Sequence, residues 1–249
     1  MSYDLRHKEI LEILNQNGAV SIKSLTKALY VSEATVRRDL AKLEKIGALK
    51  RTFGGAKPIP ETNDSVPLFI RESLDSKAKK EICGKAAGLL KDGNTVFIDG
   101  SSTAQHMINY LKNLKDVVVV TNSIKTAQLM CENHIKTYCA GGLLLENSLV
   151  CIGQKSVDFA QSINTDICFI SCKGVSLDGV FSDTSENDVA VRRAFMKNSA
   201  IRVMLLTGNK IGSTYMHTLC RTNEVDYIFS NADIPESITN NLRSRKALE

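Results

Sequence analysis

Six short apolar runs, set among turns of Gly, Ser, Thr or Asn and helical stretches, constrain this chain more than any other feature. They read as strands at Val96-Phe97-Ile98, Val117 to Val120, Tyr138-Cys139-Ala140, Ile167 to Ser171, Val203 to Leu206 and Tyr227-Ile228-Phe229. Strands that alternate with helices imply a mostly parallel sheet covered on both faces, because each helix must bury its apolar stripe against the sheet. The expected fold class is α/β, with a large, doubly wound, mostly parallel domain. At 249 residues the chain is long enough for that domain plus a small one.

The N-terminal part follows a helical period instead. Leu5, Ile10, Ile13 and Leu14 define one amphipathic helix, and Asn17-Gly18 breaks it. Ser21 then opens a short helix carrying Leu25 and Leu29, and Ser32 starts a third. Three of the four prolines, Pro58, Pro60 and Pro67, fall within ten residues beside the polar run Glu61 to Ser65. That stretch reads as an exposed connection. The expected organisation is a head at 1–57, a linker at 58–74 and a body at 75–249.

Charge divides along the same line. Residues 1–57 hold 11 Lys/Arg and 6 Asp/Glu, whereas the remainder holds 21 of each, so the whole net charge of +5 sits in the head. A basic head on a neutral body points to a polyanionic partner for the head alone. No run approaches the roughly 18 to 20 apolar residues that cross a bilayer, and Met1 to Lys8 is too polar for a secretion signal. The expected location is the cytoplasm, with no membrane partner. The seven cysteines include no Cys-x-x-Cys pair, and Cys168 and Cys172 lie in an apolar run with no histidine nearby in sequence. They read as buried reduced thiols, so neither a metal nor a cofactor is expected.

Within the head, Leu25, Leu29, Val36, Leu40 and Leu43 describe two helices joined by a tight turn at Tyr30-Val31, with Ser32 as N-cap of the second. At about 100° per residue, Val36, Leu40 and Leu43 share one face, and Ala34, Arg38, Ala41 and Lys45 share the opposite one, flanked by Thr35, Arg37 and Lys42. Small residues early and cations throughout suit a helix that enters a major groove. The pattern alone also fits an ordinary solvated face.

The segment Val31-Ser32-Glu33-Ala34-Thr35-Val36-Arg37-Arg38-Asp39-Leu40, then Gly47-Ala48-Leu49 and Arg51-Thr52-Phe53-Gly54-Gly55-Ala56, closely resembles the N-terminal signature of the DeoR family of bacterial repressors of sugar metabolism. The resemblance implies a winged helix-turn-helix that reads double-stranded operator DNA, with residues 20–39 as the reading unit and 48–57 as the wing. Thr35, Arg37 and Arg38 are the expected DNA contacts, Ser32 and Lys42 are assigned to phosphate, and Arg51 lies in the wing. Asp39 lies nearer the buried edge, where a salt bridge to a neighbouring Arg competes with base reading.

In the body, donor-rich turns end the strands: Asp99-Gly100-Ser101-Ser102-Thr103, Thr121-Asn122-Ser123, Gly141-Gly142, Lys173-Gly174 and Thr207-Gly208-Asn209-Lys210. In a parallel sheet these turns converge on one edge, where ligands bind. Backbone amides of the Gly/Ser loop at a helix start near Thr103 favour an anion, and Lys173 or Lys210 adds a cation. The DeoR resemblance extends through Pro67 to Arg71, Lys79 to Ile82, Phe97 to Thr103, Val120 to Ser123 and Gly141-Gly142. It implies a domain similar in fold to ribose-5-phosphate and glucosamine-6-phosphate isomerases, a phosphorylated-sugar effector, and a homodimer or homotetramer released from DNA by that effector. The chain departs from the family twice. Thr207 stands where an Asp is usual, and Arg192 where a Lys is expected. The competing class is a sugar-phosphate isomerase, with Asp99, Glu186 or Asp188 as base; no catalytic residue is assigned.

Overall fold

The computed structural model describes residues 3–58, 67–240 and 242–243, and the chain divides into two compact units, Met1–Ser76 and Lys77–Glu249. In the first unit, α1 (Tyr3–Asn17), β1 (Val20–Ser21), α2 (Ile22–Leu29) and α3 (Glu33–Lys45) precede a hairpin of β2 (Leu49–Thr52) and β3 (Gly55–Pro58). The expected Ser32 cap forms, its Oγ accepting the Thr35 amide at 3.2 Å, and Ser21, expected to open α2, caps it by accepting the Ser24 amide at 3.1 Å. Each satisfies an amide that the first helical turn leaves open, typically about 1 kcal/mol. Between the helices Tyr30 takes a left-handed conformation, φ 54°, which turns the chain within two residues. The hairpin is held against β1 in the order β1-β3-β2. A side chain on Gly55 would meet the Val20 carbonyl at 2.1 Å, so the close approach of β1 requires glycine there.

The expected linker at 58–74 needs correction in its second half. Residues 59–66 lie outside the described part, but Leu68–Ser73 forms a helix, α4, with Pro67 at its N-cap. Its Ile70, together with Leu74, is buried in one core with Leu14, Leu25, Leu40 and Leu43 of α1, α2 and α3. Two apolar side chains removed from water tie this segment to the head, whose compact unit runs to Ser76.

The second unit begins with α5 (Ser76–Ala86) and continues through β4 (Thr95–Ile98), α6 (Ile108–Leu111), β5 (Val118–Thr121), α7 (Ile124–Glu132), β6 (Lys136–Cys139), β7 (Leu143–Leu145), β8 (Val150–Ile152), α8 (Gln154–Gln161) and β9 (Thr165–Ile170). Then come β10 (Gly174–Val175), β11 (Val180–Asp183), α9 (Glu186–Lys197), β12 (Ser199–Leu206), β13 (His217–Arg221), β14 (Tyr227–Ser230) and α10 (Glu236–Thr239). The six strands expected from sequence build one parallel sheet in the order β14-β12-β9-β4-β5-β6. Alternate residues enter opposite cores. Val96, Ile98, Ile167, Phe169, Val203 and Leu205 pack with α5, α6 and Met130 of α7, while Phe97, Cys168, Ile170, Met204 and Leu206 pack with α8, α9 and Ile238 of α10. The sheet is therefore doubly wound, as the alternation requires.

Not every strand joins that sheet. β10, β11 and β13 form a separate antiparallel sheet, and β7 and β8 pair as a hairpin. Among the described residues no helix is long and apolar enough to cross a membrane, and no group of three or more His, Cys, Asp or Glu side chains could hold a metal ion. Cys168 and Cys172 are buried, which pushes their thiols up to about 11 and 12.

Candidate functional site

The head presents a basic face. Val36, Leu40 and Leu43 are buried in its core, and Ala34, Arg37, Arg38, Lys42 and Lys45 are exposed on the other side of α3. Of the expected DNA contacts, Arg38 makes no ion pair or hydrogen bond within the described residues. Arg37 sits 3.5 Å from Glu33, an exposed pair of the kind worth little. Ser32 and Thr35 join through their hydroxyls at 2.9 Å, so both complete the cap while remaining at the front of the helix. Arg51 lies on the wing with Lys50 and Lys57, all exposed, and its amide donates to Glu44 Oε1 at 2.9 Å. That bond fixes the wing to α3.

Asp39 does not pair with Arg37 or Arg38. It is 1% exposed and accepts the Arg6 Nε at 2.6 Å and Nη2 at 3.2 Å, with His7 Nε2 at 3.3 Å. Burial would raise its pKa, but the Arg6 and His7 contacts outweigh that and hold it below the ordinary carboxylate range. The acid inside the signature therefore anchors α3 to α1.

In the second unit the strand order reverses between β4 and β9: β5 and β6 extend one way from β4, and β9, β12 and β14 the other. In open α/β sheets the ligand crevice lies at the strands' carboxyl ends beside such a switch point. Asp99, one residue past β4, spans it. Its Oδ1 accepts the Ser101 amide at 3.0 Å and its Oδ2 the Ser171 amide, just past β9, at 2.9 Å. Gly100 gives the loop its clearance, since a Cβ there would lie 2.1 Å from Val150 Cγ1. The Ser101 Oγ accepts the Ala104 amide at 3.1 Å, and the Ser102 Oγ accepts Lys79 Nζ at 3.1 Å. The helix expected at Thr103 begins as a 3-10 turn, Ala104–Met107, before α6. Thr103 Oγ1 is buried without a partner among the described residues.

Ser171 is the hub of this edge. Its carbonyl accepts Arg192 Nη1 at 2.7 Å, and its hydroxyl accepts Lys210 Nζ at 3.0 Å. Arg192 also donates to Asp183 Oδ2 at 2.8 Å and pairs with Asp188 at 3.2 Å. Burial alone would lower the Arg192 pKa, but Asp188, Asp183 and Asp99 raise it, so the guanidinium stays charged. Asp183 is held low: burial opposes this, and Arg192 overcomes it. Asp188 is pushed up by burial despite Arg192, with Asp183 and Asp99 adding to the rise. Arg192 is thus a fixed cation in a buried acidic setting, and Lys210 Nζ reaches the same serine.

The remaining candidates divide into two groups. Thr121, Asn122 and Ser123 are fully buried beside the crevice, with the Ser123 Oγ capping α7 through the Thr126 amide. Asn122 exchanges bonds with Cys151 of β8, carbonyl to amide at 2.7 Å and Nδ2 to carbonyl at 3.3 Å, and its Oδ1 is buried without a partner among the described residues. Gly141 and Gly142 form the base of the β7–β8 hairpin, where Ser156 Oγ donates to the Gly141 carbonyl at 2.7 Å. Lys173 and Gly174 start the small antiparallel sheet, with the Lys173 amide bonded to the Ser182 carbonyl at 3.1 Å. Thr207 turns its hydroxyl to Asn209 at 2.7 Å.

Two residues that the sequence reading did not single out belong to this edge. Ser171 is one serine among many until the fold places it at the switch point. Lys79 looks like a solvated helix lysine, yet it is wholly buried. Only its place in the Lys79-Lys80-Glu81-Ile82 landmark marked it.

Comparison with known proteins accords with both units. Residues 6–62 match the DeoR-like helix-turn-helix domain and residues 74–232 the DeoR C terminal sensor domain. The chain is 29% identical to the glycerol-3-phosphate regulon repressor of Haemophilus influenzae, over 99% of this chain and 96% of that protein. Among solved structures, eIF2B delta from Chaetomium thermophilum superposes with a TM-score of 0.50 at 12% identity, over 64% of this chain and 57% of its own. Ribose 5-phosphate isomerase A from Methanocaldococcus jannaschii superposes with a TM-score of 0.42 at 17% identity, over 55% of each chain. A basic winged helix-turn-helix and a doubly wound sensor domain, each matching its family counterpart, establish that the chain belongs to the DeoR family of DNA-binding transcriptional regulators.

Proposed function

We propose that this regulator represses a carbohydrate-utilisation operon and leaves its operator when a phosphorylated sugar or polyol binds at the β4/β9 switch point. The observation that carries this reading is the convergence of Arg192 and Lys210 on Ser171, with Lys79 on Ser102 across the same edge. Three buried cations at the carboxyl ends of two neighbouring strands suit an anionic ligand. Charge-assisted hydrogen bonds to phosphate are the strong ones, and the enclosed setting weakens their competition with water. Asp183, Asp188 and Asn122 Oδ1 are acceptors for the ligand's hydroxyls. The repressor from Haemophilus influenzae named for glycerol 3-phosphate supports the same ligand class.

The head supplies the other half. Thr35 and Arg38 read base edges, while Arg37, Lys42, Ser32 and the wing residue Arg51 contact phosphates. A homodimer or homotetramer sets two heads on repeated half-sites. The ligand prefers the arrangement in which the heads are out of register with the operator, so its binding lowers DNA affinity.

The chain acts without catalysis. Asp99, the acid best placed for proton transfer, has both carboxylate oxygens bonded to backbone amides, and Asp188 is paired with Arg192. Ribose 5-phosphate incubated with the pure protein should show no turnover; turnover abolished in Asp99→Ala would establish the isomerase reading instead. The direct test is a thermal-shift screen of phosphorylated sugars and polyols. A ligand at 100 times its Kd raises stability by about 2.7 kcal/mol. A screen in which only unphosphorylated metabolites shift the transition would refute the phosphate half of the proposal.

A further inference from the structure

The second unit carries another basic concavity, lined by a different set of residues from the switch point. It encloses about 390 Å³ between the C-terminal half of α9, the start of β12 and the end of β13. Arg193, Lys197, Arg202 and Arg221 line it, with Glu224 as the one acid among the described residues. None of these four cations forms an ion pair within the described residues. Nearby acids are committed elsewhere. Glu224 accepts the Arg221 backbone amide at 2.8 Å, and Asp226 accepts the Arg202 amide at 2.9 Å while pairing with Arg243 at 3.5 Å.

Four cations around one hollow repel each other unless an anion is added. The guanidiniums are also only partly used. Arg193 gives its Nε to the Leu219 carbonyl at 2.9 Å and one terminal nitrogen to Thr218, which fixes its plane. Arg202 gives Nη1 to the Glu224 carbonyl at 3.3 Å, while its Nε is buried with no acceptor among the described residues. A buried charged donor left unmade is costly, and in a native structure it calls for a missing acceptor.

We propose that this concavity is a second anion site that takes a small phosphate-bearing molecule, separate from the switch-point crevice. Three guanidiniums favour a planar, two-point grip on phosphate oxygens, and Lys197 adds a point charge at the rim. The volume lies within the roughly 300 to 1,000 Å³ of small-molecule sites. Arg192 and Arg193 are neighbours on α9, the first turned to Ser171 and the second to Leu219. An anion gripped by Arg193 therefore bears on the helix that carries a crevice cation. The site itself stands whether or not the crevice holds a sugar phosphate.

Isothermal titration of the full chain with pyrophosphate, at ionic strength matched with sodium chloride, tests the proposal. The double variant Lys197→Ala/Arg221→Ala should lose one binding equivalent or weaken it at least tenfold, while Lys210→Met should keep that equivalent. Both substituted positions of the double variant are exposed, so its fold is expected to survive. If it does not, phosphate protection of Arg221 from phenylglyoxal in the wild type decides the question. Unchanged binding in the double variant, loss of all binding in Lys210→Met, or an unprotected Arg221 would overturn the site.

Discussion

The Arg6 guanidinium grips Asp39 through two nitrogens, Nε at 2.6 Å and Nη2 at 3.2 Å, across 33 residues of sequence. The acid at the heart of the DNA-reading signature is thereby a fastener between α1 and α3. Asp39→Ala removes a buried carboxylate that Arg6 and His7 both contact. Breaking such pairs costs about 3 to 5 kcal/mol, so chemical denaturation should show a loss of that order in the head. A loss under 1 kcal/mol accompanied by altered base preference would reassign Asp39 to DNA reading.

Arg38 is exposed on α3 and makes no ion pair or hydrogen bond among the described residues, which suits the base-reading role proposed for it. Arg38→Ala should cost about 1 to 3 kcal/mol on the operator and less on random duplex. Arg37→Ala should weaken both equally and reduce the salt dependence of binding. Equal losses for Arg38→Ala on operator and random DNA would make it a phosphate contact.

Much of this was legible before the fold was known, for physical reasons. The six apolar runs had to be strands of one covered sheet, and Ser21 and Ser32 had to start helices because each precedes an amphipathic segment. The facing of α3 followed from its period. Other features were hidden. Leu143-Leu144-Leu145 gives no alternation, so the β7–β8 hairpin showed no signal, and β10 is two residues long. Three prolines masked α4, whose register is set by burying Ile70 and Leu74 against other helices. The crevice turns were found from composition, but Ser171 and Lys79 gain meaning only from which strand ends meet. The partner of Asp39 was likewise a matter of tertiary placement.

Gly100 tests the packing of the β4 loop against β8. Gly100→Ala puts a methyl into Val150 and should cost about 1 to 3 kcal/mol by overpacking. Adding Val150→Ala should recover part of that loss, so the double variant should be more stable than the two single effects predict. Additive Tm changes would show that the loop moves aside freely.

His106 gives the second unit a pH dependence. Burial, then the charges of Lys79 and Lys80, pull its pKa down to about 4 from the ordinary value near 6.5. Between those values the unfolded chain binds a proton that the folded chain refuses. This contribution is therefore complete above pH 6.5 and is lost as the pH falls towards 4, by on the order of 2 kcal/mol. Urea denaturation at pH 7 and pH 4.5 should show the fall, and His106→Asn should lessen it. An unchanged fall in the variant would place the titration elsewhere.

The most direct measurement is a closed cycle on one protein. Operator affinity is determined with and without the phosphorylated ligand found by screening, and ligand affinity with and without operator DNA. Linkage requires the ligand to weaken DNA binding by the same factor by which DNA weakens ligand binding, and Lys210→Met should abolish both effects together. A ligand that binds tightly but is indifferent to operator DNA would contradict control of the head from the switch-point crevice.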